Sequence, residues 1–358
     1  MYVVGARPNF MKVAPILRAV RARQPDCRQI LVHTGQHFDT RMSDVFFQEL
    51  GMPDPDVHLG VSGGSHAQQT ARVMLEFESH LLQHRPDWLV VVGDVNSTVA
   101  CSLVASKLGV RIAHVESGLR SGDMTMPEEV NRRVTDAISE LLLTPSRDAD
   151  ENLRREGVDA GRIFCVGNVM IDSLVRMLPV AESSDVLSRC EVVAGQYVLA
   201  TLHRPSNVDD VSTLQELVDA LGVISRELPV LFPVHPRTQQ RLKELTTPPT
   251  AGVRSLAPLG YLDFLALMKS ARAVITDSGG IQEETTYLGV DCLTVRPNTE
   301  RPVTIEVKTN RIVPPTRAGL LAAWNDLERE ERVTRIPDLW DGRTAERIAA
   351  LLLSRGGA

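Results

Sequence analysis

The chain has no C-x-x-C pair. Its five cysteines (Cys27, Cys101, Cys165, Cys190 and Cys292) are odd in number and scattered, which is poor material for a disulfide frame or a structural zinc site and leaves core packing as their role. Blocks of like charge are also missing. Thirty-nine basic residues against forty-five acidic ones give a net charge of -6, which argues against nucleic acid or an anionic membrane as the main partner and points to a small one. No apolar stretch approaches the roughly twenty residues that a membrane-spanning helix needs. No cationic start leads into an apolar run as in a signal peptide, so the cytoplasm is the expected location. The nine histidines form no H-E-x-x-H pattern. A Walker lysine motif and a G-x-G-x-x-G fingerprint are absent too, which removes P-loop and nicotinamide readings. Neither metal nor cofactor is expected.

What the chain does have is length and a repeated pattern. At 358 residues it exceeds a typical domain, and runs rich in valine, isoleucine and leucine alternate with longer helical patterns. Such runs are the mark of parallel strands buried on both faces. In the first half they fall at YVV, QILVH, WLVVVG, RIAHVE, LLLT and RIFCVG; in the second, at YVLATLH, VLFPVH, VRSL, AVITD, CLTV and RIV. The expectation is an α/β protein of two Rossmann-like, doubly wound domains, residues 1–170 and 171–358, facing a cleft. The amphipathic stretch RTAERIAALLLSR would pack back across the junction. Ligands of such sheets bind outside the carboxyl ends of the strands, so functional residues should follow strands directly. Arg7, Gln36, His37, Asp94, Glu116, His203, His235 and Asp277 all do.

The stretch TDSGGIQEETTYLG, residues 276–289, places two glycines where a helix should begin. In one reading Asp277 or Ser278 caps that helix, and Glu283 and Glu284 lie on its solvated face. In the other, Ser278, Gly279 and Gly280 offer unpaired backbone N–H groups to a phosphate, and a glutamate about one turn on accepts hydrogen bonds from ribose hydroxyls. The second arrangement suits a nucleoside diphosphate lying along a helix.

Three carboxylates could do chemistry. Asp94 in VVVGDVNST and Glu116 in HVESGLRSGD end neighbouring strands and would share one crevice, with loop capping as the alternative. Glu128 in MPEEVNRR follows Pro127 at a helix start, where glutamates simply complement the helix dipole, and its residues alone favour that structural role. Arg7 lies in the first strand-to-helix turn, where anion contact is common, with Lys12 a turn beyond and Arg120 after Glu116. His203 and His235 end strands in the second half.

The ordered series VVGARPNFMKVAP, TGQHFD, GDVNST, HVESGLRSGD, MPEEVNR, GNVMID, TLHRPSN, PVHPRT, PLGYLDFLALM, DSGGIQEE and TERP resembles the UDP-N-acetylglucosamine 2-epimerases of the non-hydrolysing bacterial type over nearly the whole chain. The resemblance implies a glycosyltransferase-B architecture with UDP held mainly by the second domain. It also implies a homodimer serving polysaccharide biosynthesis. The implied reaction is reversible conversion of UDP-GlcNAc to UDP-ManNAc, by anti elimination of UDP to 2-acetamidoglucal and syn re-addition. Carried over by position, Asp94, Glu116 and Glu128 match catalytic acids and His203 a histidine near the leaving pyrophosphate. Arg7 and Lys12 match the sugar and phosphate region, Ser278, Gly279 and Gly280 pyrophosphate contacts, Glu284 a ribose contact, Phe264 a uracil-side contact and Arg301 a further substrate-binding arginine. His235 joins them as a strand-end candidate. Lys308 stands where the family leads one to expect glycine. The rivals are a hydrolysing epimerase that releases UDP and free ManNAc, an epimerase for a diacetamido-uronic acid UDP-sugar, a glycosyltransferase with the same cleft, and a non-catalytic UDP-sugar sensor.

Overall fold

The computed structural model describes residues 1–35, 51–329 and 335–356. It divides into two compact units, Met1–Ser173 with Asp338–Ala358, and Leu174–Pro337.

The first unit is built on a seven-stranded parallel sheet: β1 (Tyr2–Val4), β2 (Leu31–His33), β3 (Val57–His58), β4 (Trp88–Val92), β5 (Arg111–Val115), β6 (Leu141–Thr144) and β7 (Ile163–Cys165). The order across the sheet is β3-β2-β1-β4-β5-β6-β7. Trp88, Leu89, Val90, Val91 and Val92 are all buried, because helices cover both faces and no residue alternation is needed. On one face Val73, Phe77 and Leu81 of the helix His66–His84 meet Val3, Val32, Leu89 and Val91, with Ala100, Cys101 and Val104 of the helix Asn96–Lys107 beside them. The short β3 has no counterpart among the strands read from the sequence. All five cysteines are free thiols, Cys101 and Cys292 fully buried.

The sequence reading ends the first domain at residue 170 and has the last amphipathic stretch pack back across the junction; the first unit runs to Ser173 and takes in the stretch from Asp338 on. Specific contacts anchor that stretch. The Trp340 indole N–H donates to the Pro145 carbonyl at 2.9 Å, and Asp172 accepts the N–H of Ala345 at 2.7 Å and of Thr344 at 3.2 Å, capping the helix Thr344–Ser354. Arg347 Nε adds a 2.7 Å bond to the Val166 carbonyl, and the helix packs on Arg7–Arg23.

The second unit repeats the plan with β8 (Val198–Thr201), β9 (Val230–Pro233), β10 (Val253–Leu256), β11 (Ala273–Thr276), β12 (Asp291–Val295) and β13 (Asn310–Val313), all parallel. Their order is β10-β9-β8-β11-β12-β13. In each sheet the strand order reverses beside the first strand of the unit, between β1 and β4 and between β8 and β11. Doubly wound sheets bind ligands at this switch point, just past the carboxyl ends of the strands.

Candidate active site

In the first unit the switch point is lined by the turns after β1, β4 and β5. After β1 the backbone enters the helix Arg7–Arg23 tightly: Asn9 Oδ1 accepts the N–H of Gly5 at 3.1 Å and of Ala6 at 3.0 Å, and Asn9 Nδ2 donates to the Val92 carbonyl of β4 at 3.2 Å. A Cβ on Gly5 would collide with Ser97 Oγ and lie 2.7 Å from Thr34 Oγ1, so only glycine lets these turns close. Arg7 opens the helix, but its side chain lies outside the described residues, as do Gln36 and His37.

One turn into that helix stands Lys12. It is no solvated surface lysine: its side chain is buried and paired with the equally buried Glu116. Glu116 has φ 67°, a left-handed conformation that non-glycine residues adopt at a cost of about 1–3 kcal/mol and that clusters at functional sites. A Cβ on Gly93 would lie 3.3 Å from Lys12 Nζ and 3.8 Å from Glu116 Oε2, which puts the turn leading into Asp94 directly against this pair. Asp94 itself pairs with Arg132, and its carbonyl accepts from Asn131 Nδ2 at 2.9 Å. Asn131 also reaches Asn96 Oδ1 at 3.2 Å, and Asn96 donates to Gln69 at 2.7 Å.

Arg132 and Asn131 belong to the helix Pro127–Ile138, whose first turn holds Glu128 and Glu129. These neighbours divide sharply. Glu129 is fully buried, accepts Ser121 N and Oγ at 2.8 and 2.9 Å and Arg133 Nε at 3.2 Å, and lies 3.5 Å from Arg132 Nη1. Burial pushes its carboxyl up, but Ser121 and the two arginines outweigh this and leave it below the ordinary carboxylate value. Glu128 is half-buried, one turn before Arg132, and carries no such set of bonds.

In the second unit the turns after β8 and β11 are joined by Asp277. Its buried carboxylate accepts the backbone N–H of His203 at 3.0 Å and of Arg204 at 2.9 Å and the Asn207 amide at 3.1 Å, and lies 2.8 Å from His203 Nδ1. Burial pushes Asp277 up, yet His203 and the backbone donors more than offset it, so the carboxyl stays below its usual range. The His203 ring is 6.3 Å from that of His235, centroid to centroid. His235 lies two residues past β9 and caps the helix Pro236–Leu242, and burial, then His203 and Arg237, lower its imidazole.

The capping alternative for TDSGGIQEE is corrected. Ser278 is the N-cap of the helix Gly279–Leu288, but neither its side chain nor that of Asp277 caps it, and Glu283 and Glu284 are both buried instead of solvated. Gly279 and Gly280 begin the helix. A Cβ on Gly279 would sit 2.8 Å from Arg301 Nη1, so the missing side chain lets the guanidinium lie against the helix start. Arg301 Nε lies 2.8 Å from Glu283 Oε1, and Arg301 Nη1 donates to Glu300 at 3.2 Å, while Arg296 grips Glu300 through both nitrogens at 3.1 and 2.8 Å. Around Gly279 the structure thus gathers cations, balanced by buried carboxylates, at the positive end of a helix dipole. Glu284 accepts the Tyr261 hydroxyl at 2.7 Å; burial, reinforced by Glu283, raises its carboxyl to about 7. Phe264 stands one turn from Tyr261 on the helix Tyr261–Ser270.

The structure therefore brings together Lys12, Asp94 and Glu116 in one unit, and Ser278, Gly279, Gly280, Glu284 and Arg301, and separately His203 with His235, in the other. Sequence reasoning missed Arg132, Asn96, Asn131, Tyr261 and Arg296, although Arg296 directly follows β12 and Tyr261 directly follows Gly260 at a helix start.

Twin doubly wound sheets, each with charged side chains collected at its switch point, define an α/β protein of two Rossmann-like units. A family model described as UDP-N-acetylglucosamine 2-epimerase matches residues 19–353. The UDP-N-acetylglucosamine 2-epimerase of Methanocaldococcus jannaschii is 40% identical over 359 residues, which cover 98% of this chain and 97% of that one. The UDP-2,3-diacetamido-2,3-dideoxy-D-glucuronate 2-epimerase of Pseudomonas aeruginosa is 43% identical over 301 residues, 83% of each chain. The crystal structure of the M. jannaschii enzyme in complex with UDP-GlcNAc and UDP matches with a TM-score of 0.89 at 39% identity over 99% of both chains. The chain belongs to the UDP-N-acetylglucosamine 2-epimerase family. Among the described residues no helix is long and apolar enough to cross a membrane.

Proposed function

We propose that this chain interconverts UDP-GlcNAc and UDP-ManNAc and returns UDP to the intermediate instead of releasing free sugar. The second unit holds the UDP moiety: backbone N–H groups of Ser278, Gly279 and Gly280 and the Arg301 guanidinium take the pyrophosphate, Glu284 the ribose hydroxyls, and Phe264 the uracil side. His203, oriented by Asp277, and His235 lie toward the leaving phosphate. The first unit supplies Asp94, Glu116 and Glu128 as acid–base groups for the hexose, with Lys12 and Arg7 contacting sugar and phosphate.

The C2 proton of the sugar is not next to a carbonyl, so its removal follows substantial cleavage of the C1–O bond. Positive charge then develops on the ring, and nearby carboxylates stabilise it. UDP leaves anti to the C2 proton, 2-acetamidoglucal forms, and syn re-addition of UDP with protonation from the other face gives the epimer. A positioned acid or base contributes about 10²- to 10⁴-fold to such a step. The observation that carries this reading is the Lys12–Glu116 pair against the Gly93–Asp94 turn: two carboxylates and a cation at the switch point of a sheet whose relatives act on UDP-sugars.

The test is product analysis by NMR. UDP-ManNAc accumulating to a constant ratio with UDP-GlcNAc supports the reading; stoichiometric free ManNAc with UDP defeats it in favour of hydrolysis. The 43% identity to the P. aeruginosa enzyme favours a second sugar, the diacetamido-uronic acid, within the same chemistry. Comparison of kcat/KM on the two UDP-sugars decides between them.

A further inference from the structure

His114 lies on β5, two residues before Glu116, and is fully buried. Each of its ring nitrogens meets an oxygen that only accepts: Nδ1 is 2.7 Å from Asp136 Oδ1, and Nε2 is 2.8 Å from the Gly93 carbonyl oxygen. The Gly93 carbonyl oxygen can only accept, so the contact at Nε2 is a hydrogen bond with the N–H on that nitrogen. The Asp136 carboxylate also accepts the Gly118 N–H at 3.1 Å and lies 2.8 Å from Arg120 Nη1, while Arg120 is held from its far side by Glu156 at 2.9 Å. Burial pushes the Asp136 carboxyl up, and His114 and Arg120 outweigh that and hold it below its usual range.

The contacts link two turns. Gly93 precedes Asp94, and Gly118 comes two residues after Glu116. Gly93, Glu116 and Gly118 all take left-handed backbone, with φ of 67°, 67° and 78°. For the non-glycine Glu116 such a conformation persists only where the surroundings over-determine it. The Gly93 carbonyl shares one rigid peptide plane with the Asp94 N–H, so whatever holds that oxygen sets the plane from which Asp94 leaves the sheet.

We propose that His114 is a positioning residue for Asp94: its Nε2–H clamps the Gly93 carbonyl, and Asp136 fixes the ring that does so while tying the same network to the turn after Glu116. The inference rests on the epimerase reading of the site. Residues that hold a reacting group to within a fraction of an ångström act on kcat, since a shift of about 1 Å costs on the order of 10²-fold. A histidine that merely filled the core would instead act on stability and leave the kinetics of the folded fraction alone.

The experiment uses the full chain with His114→Gln and Asp136→Asn, measuring kcat and KM for UDP-GlcNAc epimerisation, Kd for UDP, and Tm. The expected result is a fall in kcat of about 10- to 100-fold with KM and the UDP Kd within about threefold of the parent. Asp136→Asn conserves volume and keeps the test decisive if His114→Gln does not fold. A folded variant whose kcat stays within about twofold of the parent, or whose KM and UDP affinity worsen in step with kcat, overturns the proposal. An active parent with unaffected variants overturns this inference alone, whereas a parent inactive on UDP-GlcNAc overturns the epimerase reading and this inference with it.

Discussion

Asp277 holds His203 twice, accepting its backbone N–H at 3.0 Å and standing 2.8 Å from its ring Nδ1. Asp277 is wholly buried and the His203 side chain is 42% exposed, so a fixed carboxylate aims a ring that remains open to ligand. Asp277→Asn removes the charge that orients the ring and leaves buried donors poorly matched. The expected loss is about 2–3 kcal/mol of stability, seen as a lower urea midpoint, together with weaker UDP binding by calorimetry. Unchanged UDP affinity in the folded variant would remove Asp277 from the account of the site.

Glu128 and Glu129 are adjacent and should separate cleanly. Glu129→Gln strips a buried acceptor from Ser121, Arg132 and Arg133 and should lower stability by about 2–3 kcal/mol. Glu128→Gln should leave the melting temperature nearly unchanged while kcat falls about 10²- to 10⁴-fold. The reverse assignment would follow from thermal melts and initial rates if Glu128 were structural.

The pH dependence has two opposed parts. Asp277, Asp136 and Glu129 are held below their ordinary values in the folded chain, so their stabilisation is complete above about pH 5 and is lost as pH falls through the lowered values. Glu284 works the other way. Its carboxyl is raised to about 7, so between its unfolded value and 7 the native state binds the extra proton and stability declines as pH rises. Glu284→Gln should therefore stabilise the unliganded protein at pH 8, by on the order of 3 kcal/mol at most, while weakening UDP binding about tenfold through loss of an acceptor for the ribose. Urea melts at pH 5 and pH 8 check it: a stabilisation equal at both would contradict the raised carboxyl.

Lys308 takes φ 64° in the turn after the helix Pro302–Glu306, where its N–H reaches the Ile305 carbonyl at 2.8 Å. Family resemblance led to the expectation of glycine there, and the backbone explains why: a Cβ in this conformation costs about 1 kcal/mol that glycine avoids. Lys308→Gly should raise Tm by about 1–2 °C, since the gain in the native turn outweighs the added freedom of the unfolded chain. A lower Tm would show that the lysine side chain contributes more than the strain it brings.

The architecture was legible because strands buried on both faces read as unbroken apolar runs, as WLVVV does, and because each run is followed by a turn with charge or glycine. β3 was not, since Val57 and His58 are too few to show any period. Within the site, Asp94, Glu116 and His203 could be picked out by their place after strands. Arg132, 38 positions from its partner Asp94, and Asp136, 22 positions from His114, could not, because only the folded chain brings such pairs together. Two adjacent glutamates pose a similar difficulty. In MPEE the helix period does not say which one turns inward, and in QEE both do, because Tyr261 and the Arg301 guanidinium meet them from other elements.

The most direct measurement is the fate of the C2 hydrogen when UDP-GlcNAc is incubated with the chain in D2O. The account predicts one deuterium at C2 in both UDP-GlcNAc and UDP-ManNAc at equilibrium, with incorporation abolished to within the same 10²- to 10⁴-fold in Asp94→Asn or Glu116→Gln, on the order expected of an acid or base. UDP-ManNAc formed with protium retained at C2, or turnover with no exchange at all, would contradict proton abstraction by the first unit's carboxylates.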